Sequence, residues 1–131
     1  MSEAALAETL REILQSAAPD VVAVYLYGSR ARGNARRESD VDMGALLATA
    51  PRPTLRSTAR KLEADLEAAL GIPVEVVALN TAPADLVHRV LRDGVLLLDR
   101  DRAARLRFEV QSRNEYFDLA PLRRLYRRIP A

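Results

Sequence analysis

Residues 21–47, VVAVYLYGSRARGNARRESDVDMGALL, constrain the chain more than any other stretch. Val21–Tyr27 and Val41–Leu47 are apolar runs rich in β-branched and aromatic residues, and each reads as a buried strand. Gly28 and Ser29 end the first. Arg30, Arg32, Arg36 and Arg37 follow, then Asp40 and Asp42 at the start of the second. Any fold must therefore bury two strands while gathering a Gly-Ser turn, four arginines and two acids at one end of them.

The rest of the chain supplies the cover. Leu6, Leu10, Ile13, Leu14 and Ala17 recur at helical spacing, which predicts a helix over 2–17 capped by Ser2 and broken by Pro19 and Asp20. The two prolines of TAPRPT, residues 49–54, predict a loop. Leu55, Ala59, Leu62, Leu66 and Leu70 form a second helical stripe, stopped by Gly71. IPVEVVAL, residues 72–79, reads as a third strand. NTAP, residues 80–83, opens a helix carrying Leu86, Val87, Val90 and Leu91, closed by Gly94. Val95–Leu98 predicts a short edge strand and Arg102–Phe117 a last helix. The order α-β-β-α-β-α-β-α implies an α/β (α+β) fold, a small mixed β-sheet covered by helices. At 131 residues and 49% apolar, one domain over 1–131 is expected.

Composition removes several function classes. There is no cysteine, which excludes disulfides, thiolate catalysis and Cys-bound zinc. No run approaches the roughly 20 apolar residues that span a bilayer. The N-terminus carries acids rather than a basic leader, so a cytoplasmic protein is expected. Net charge is only +2, so the chain is no polycation. All its basic residues but Lys61 are Arg, whose planar fork suits phosphate and carboxylate.

The acids carry the chemistry. Asp40 and Asp42 alternate with Val41 and Met43, and on a strand they face one side, about 6.6 Å apart. Two carboxylates so placed repel each other, and a divalent cation such as Mg²⁺ relieves that. Glu75 repeats the anomaly in the middle of VEVVAL, where a buried, uncompensated acid costs several kcal/mol. Three acids from two neighbouring strands can hold two metal ions about 3.5–4 Å apart, the spacing used for in-line displacement at phosphorus. Taken alone, an Asp-x-Asp pair more often caps a turn or is solvated, and Glu75 could point outward from an edge strand. The turn beside them shifts the balance.

Gly28 allows a sharp bend and close approach of backbone to a ligand. Ser29 adds a hydroxyl and an N–H where anions bind well. Phosphate donors followed by metal ligands are what a nucleoside triphosphate with Mg²⁺ requires. A solvated basic hairpin tip would explain the arginines but not the acids.

Gly28-Ser29, ten residues, then Asp40-x-Asp42, with a later mid-strand acid, resembles the signature of the polymerase-β-like nucleotidyltransferase superfamily. YGSRARG, SDVDMGALL, VEVVALN, VLRDGVLLLDRD and EYFDLAPL are similar to its minimal bacterial branch, the MNT domains. The resemblance implies that Asp40, Asp42 and Glu75 hold two Mg²⁺ ions, with Glu75 also assisting deprotonation of the acceptor hydroxyl. Gly28 and Ser29 would hold the triphosphate, and Arg32 matches the arginine of the branch's ARG. It further implies an antitoxin that transfers AMP from ATP to a tyrosine of a HEPN-type ribonuclease toxin, in a hetero-oligomer with it. One departure is Glu75, where many MNT chains carry Asp; the added methylene shifts the oxygens by more than about 1 Å, a misplacement large enough to affect a rate. Two rivals stay open: an inactive MNT chain that neutralises its toxin by covering it, and a transferase acting on a small-molecule hydroxyl.

The remaining features read blandly. His88 is the sole histidine and is expected to pack on a helix rather than catalyse. Leu106, Phe108, Val110, Tyr116 and Phe117 predict a stripe that closes the core, with a partner helix as the alternative. Arg123, Arg124, Arg127 and Arg128 form a basic tail expected to be solvated, with RNA or an acidic toxin surface as the alternative; direct nucleic-acid binding and membrane contact are not expected.

Overall fold

The computed structural model describes residues 2–17, 19–28, 40–48, 52–118 and 121. Ser2 caps the first helix, its hydroxyl accepting from the Ala5 N–H at 3.0 Å. Helix α1 spans Glu3–Leu14, and strands β1, Val21–Tyr27, and β2, Val41–Leu47, follow. Helix α2, Arg52–Leu70, crosses over to β3, Val74–Ala78. A 3-10 turn at Leu79–Thr81 leads to α3, Ala84–Asp93, then β4, Val95–Asp99, and α4, Arg102–Asp118.

The sheet order is β3-β2-β1-β4. β1 runs antiparallel to β2 and β4, whereas β2 and β3 are parallel, so the sheet is mixed. The parallel pair needs a crossover, and α2 provides it. β3 is an edge strand whose outward N–H groups are taken up by α2. Val74 N–H donates to Glu67 Oε1 and Val76 N–H to Glu63 Oε2, both at 2.9 Å.

Alternation divides the strand residues between two faces. Leu6, Leu10 and Leu14 of α1 and Leu66 of α2 pack against Val24, Leu26, Val41, Met43, Val74 and Val76 on one. Val87 and Val90 of α3 cover Ala23, Tyr25 and Leu46 on the other, where Phe108 of α4 joins them. Among the described residues no helix is long and apolar enough to cross a membrane.

Four local departures from the sequence expectations have physical causes. α1 stops at Leu14, not at 17, because the N–H groups of Ser16 and Ala17 turn to carbonyls three residues back. Arg100 then clasps the freed end, its Nη2 donating to Ala17 O at 2.7 Å and Gln15 O at 3.2 Å. α2 starts at Arg52, inside the expected loop; Pro53 falls in its first turn, where a missing N–H costs nothing. β3 is shorter than 72–79, and α3 begins at Ala84, after the 3-10 turn. There the Asn80 amide substitutes for a strand neighbour, accepting from Leu47 N–H at 2.9 Å and donating to Leu47 O at 2.8 Å.

The fourth departure is in α4. Phe108 packs inward, but Leu106, Val110 and Phe117 are 40%, 54% and 63% exposed, so the stripe does not close the core. α4 turns ionic groups inward instead. Tyr25 Oη donates to the buried Glu109 Oε1 at 2.7 Å, and Arg105 Nη1 donates to the same oxygen at 3.0 Å. Arg105 Nε lies 3.0 Å from Asp99 Oδ2, close enough to pair in charge but not aligned as a hydrogen bond. Burial, then the hydrogen bond to Glu109, pushes the Tyr25 phenol pKa well above its ordinary value. His88 stacks on Tyr116, with ring centroids 3.6 Å apart and planes 4° from parallel, and so joins α3 to α4 as packing.

Candidate active site

The first core takes Leu26, Val41, Met43, Val74 and Val76. Their neighbours Tyr27, Asp42 and Glu75 therefore face the opposite side, toward α3. The register aligns all three. Tyr27 on β1 is the partner of Asp42 on β2, and Asp42 is the partner of Glu75 on β3. They form one transverse row across three strands, with neighbouring Cβ atoms about 4.5–5.5 Å apart.

Gly28 closes one end of the row with φ +75°, a left-handed conformation that ordinary side chains rarely adopt. A Cβ there would stand 2.8 Å from Asp42 Oδ2. The Asp42 carboxylate thus lies against the bend itself, and only a glycine leaves it room. Asp40 immediately precedes β2 and is exposed, Asp42 is half-buried, and Glu75 is exposed.

The electrostatics follow from that spacing. Asp42 has its pKa raised by burial first, then by Glu75 and then by Asp40. Among the described residues, no Lys or Arg forms an ion pair with any of the three. Tyr27 was given no role from the sequence, yet it stands beside them. Burial, then Asp42 and Glu75, hold its phenol protonated, while Arg89 of α3 acts in the opposite sense. The alternation of VYLYG places Tyr27 on one strand face, but only the β1–β2 register shows which residue it meets.

Carboxylate oxygens are the donors that hard divalent cations take, and a cation would relieve the repulsion at Asp42. Among the described residues, however, no group of three or more His, Cys, Asp and Glu is arranged to hold a metal ion as it stands. What the fold shows is an opposed pair, Asp42 and Glu75, with Asp40 close enough to act on Asp42 through space. Ser29 and Arg32, the other expected triphosphate ligands, lie outside the described residues, as do Arg30, Arg36, Arg37 and the tail arginines.

Residues 8–103 match the family described as polymerase beta, nucleotidyltransferase. The chain belongs to that family. The match takes in all four strands and the acidic row. Over 84 residues the chain is 33% identical to the protein adenylyltransferase MntA of Shewanella oneidensis, covering 63% of this chain and 58% of that relative. The chain thus spans less than two thirds of the length of the curated relative. Its fold is similar to a chain in a crystal structure of a toxin–antitoxin with AMP-PNP, with a TM-score of 0.72 and 27% identity over 92% of this chain and 94% of the other. A mutant of the MntA–HpeT toxin–antitoxin pair matches with the same TM-score and coverage at 26% identity.

Proposed function

We propose that the chain is a Mg²⁺-dependent adenylyltransferase and antitoxin, transferring AMP from ATP to a tyrosine hydroxyl of a HEPN-type toxin in the cytoplasm. The observation that carries this reading is the register that sets Asp42 opposite Glu75 beside the Gly28 bend. The family gives the reaction class. The adenylyltransferase relative and the toxin–antitoxin likeness with AMP-PNP support the nucleotide and the partner class. The HEPN type rests on the sequence resemblance to MNT domains.

In this reading Asp40, Asp42 and Glu75 are the metal ligands, and Gly28, Ser29 and Arg32 receive the triphosphate. Bound Mg²⁺ would supply charge to the phosphates and lower the cost of forming the nucleophile. Gly28 keeps the bend free of side chain, so phosphate oxygens can approach the backbone. Asp42 is fixed by the strand register and needs no reorganisation to present its oxygens. Glu75, exposed on the edge strand, is the acid that an incoming acceptor hydroxyl can reach; it takes that proton as the new O–P bond forms and pyrophosphate leaves.

The test is transfer of label from α-labelled ATP with Mg²⁺ to the HEPN-type toxin that this reading pairs with the chain. Label should enter a tyrosine of the partner with the wild-type chain and not with Asp42→Ala. Equal labelling by both would reject the catalytic assignment.

A further inference from the structure

We propose that Arg89 of α3 is an additional anion-binding residue of the nucleotide site, flanking the Tyr27 end of the acidic row. The inference rests on the nucleotidyltransferase reading and adds a residue that the motif does not contain.

The helix phase places it. α4 is tied to β1 and β4 by Tyr25–Glu109 and Arg105–Asp99. α3 turns His88 toward α4, where it stacks on Tyr116. Val87 and Val90 point into the core. That leaves Leu86 and Arg89, three residues apart on one flank, on the side of α3 away from α4. Leu86 and Tyr27 pack against the same apolar cluster. Arg89 follows Leu86 along this flank and is exposed.

The charge around it is unusual. Among the described residues Arg89 has no carboxylate partner at ion-pair distance. It acts electrostatically on Tyr27, the residue at the β1 end of the acidic row. The Tyr27 hydroxyl has no hydrogen-bond partner among the described residues and remains a donor. A strongly acidic row bordered by an unpaired guanidinium and a free phenol suits a ligand that is itself divided: phosphates bearing cations toward the acids and bare oxygens toward the Arg. A guanidinium donates to phosphate oxygens in pairs, and Lys cannot reproduce that geometry.

Binding of MgATP, inorganic pyrophosphate and adenosine to the full chain, measured by calorimetry, tests this. Arg92→Gln serves as a control, since Arg92 lies on the same helix and is held by Asp93 at 2.9 Å. Arg89→Gln should weaken MgATP and pyrophosphate about tenfold, with adenosine unaffected and the melting temperature unchanged. Arg89→Lys should recover only part of the loss, and Arg92→Gln should bind as wild type. Unchanged MgATP affinity in Arg89→Gln, or an equal loss in Arg92→Gln, would overturn the assignment. A wild-type chain that transfers AMP while Arg89→Gln binds normally would sink this inference alone. A wild-type chain that binds no MgATP would bring down the nucleotide reading and the role of Arg89 with it.

Discussion

Asp42 and Glu75 face each other across the parallel pair β2–β3, and the charge of Glu75 helps raise the Asp42 pKa. An acid whose pKa is raised on folding destabilises the folded chain when ionised. The penalty is complete above the folded pKa and gone below the unfolded value of about 3.9. Asp42→Asn should therefore raise the melting temperature at neutral pH, with the gain shrinking as pH falls through the carboxylate range. Mg²⁺ should raise the wild-type melting temperature and leave that of Asp42→Asn unmoved. Calorimetric scans across pH, with and without Mg²⁺, check both; an Asn variant melting lower than wild type at pH 7 contradicts the assignment.

The bend should be equally selective. Gly28→Ala asks Ala to adopt φ +75° and to place a methyl 2.8 Å from Asp42 Oδ2. The backbone cost is about 1–2 kcal/mol. The larger effect is on geometry, since shifting a carboxylate by about 1 Å can lower a rate about a hundredfold. AMP transfer should fall by that order while a urea melt shows only the modest backbone loss. A parallel fall in both would mean that Gly28 serves folding alone.

The acidic row shows what a linear sequence carries and what it hides. Two-residue alternation separates Val41 and Met43 from Asp42, and Val74 and Val76 from Glu75, within each strand. That the faces coincide is a matter of register, which depends on the α2 crossover and leaves no local trace. Tyr27 was overlooked for the same reason. α4 misled the reading differently. Leu106, Val110 and Phe117 look like a core stripe, and nothing local reveals that Glu109 and Arg105 find Tyr25 and Asp99 beneath the helix. Long-range polar pairs override apolar periodicity when they satisfy each other.

That pairing makes α4 sensitive to a single hydroxyl. Tyr25→Phe keeps the ring in the core and removes the donor to Glu109. The buried carboxylate keeps Arg105 at 3.0 Å but loses its shortest partner. The expected loss is about 1–3 kcal/mol in urea unfolding, because a buried acceptor is left short of a bond. Leu106→Gln on the outer side of the same helix should change stability by less than about 0.5 kcal/mol. Comparable losses from the two substitutions would show that the outer face is covered in the free protein.

The edge strand ties stability to the site. β3 carries Glu75 and among the described residues has only β2 as a strand neighbour, so its outward N–H groups at Val74 and Val76 depend on Glu67 and Glu63 of α2. Neither glutamate touches the acidic row. Replacing both by Ala leaves two backbone donors to water and loosens the strand from one side, while the β2 ladder holds the other. Local opening should therefore rise more than global unfolding. Hydrogen exchange at Val74 and Val76 should accelerate, and AMP transfer should fall because Glu75 no longer holds its place opposite Asp42. Glu→Gln at both positions retains an acceptor oxygen and should restore slow exchange and most of the transfer. If the Gln pair behaves like the Ala pair, it is the charge of residues 63 and 67, through Arg60 beside Glu63, rather than their hydrogen bonds that keeps β3 in register.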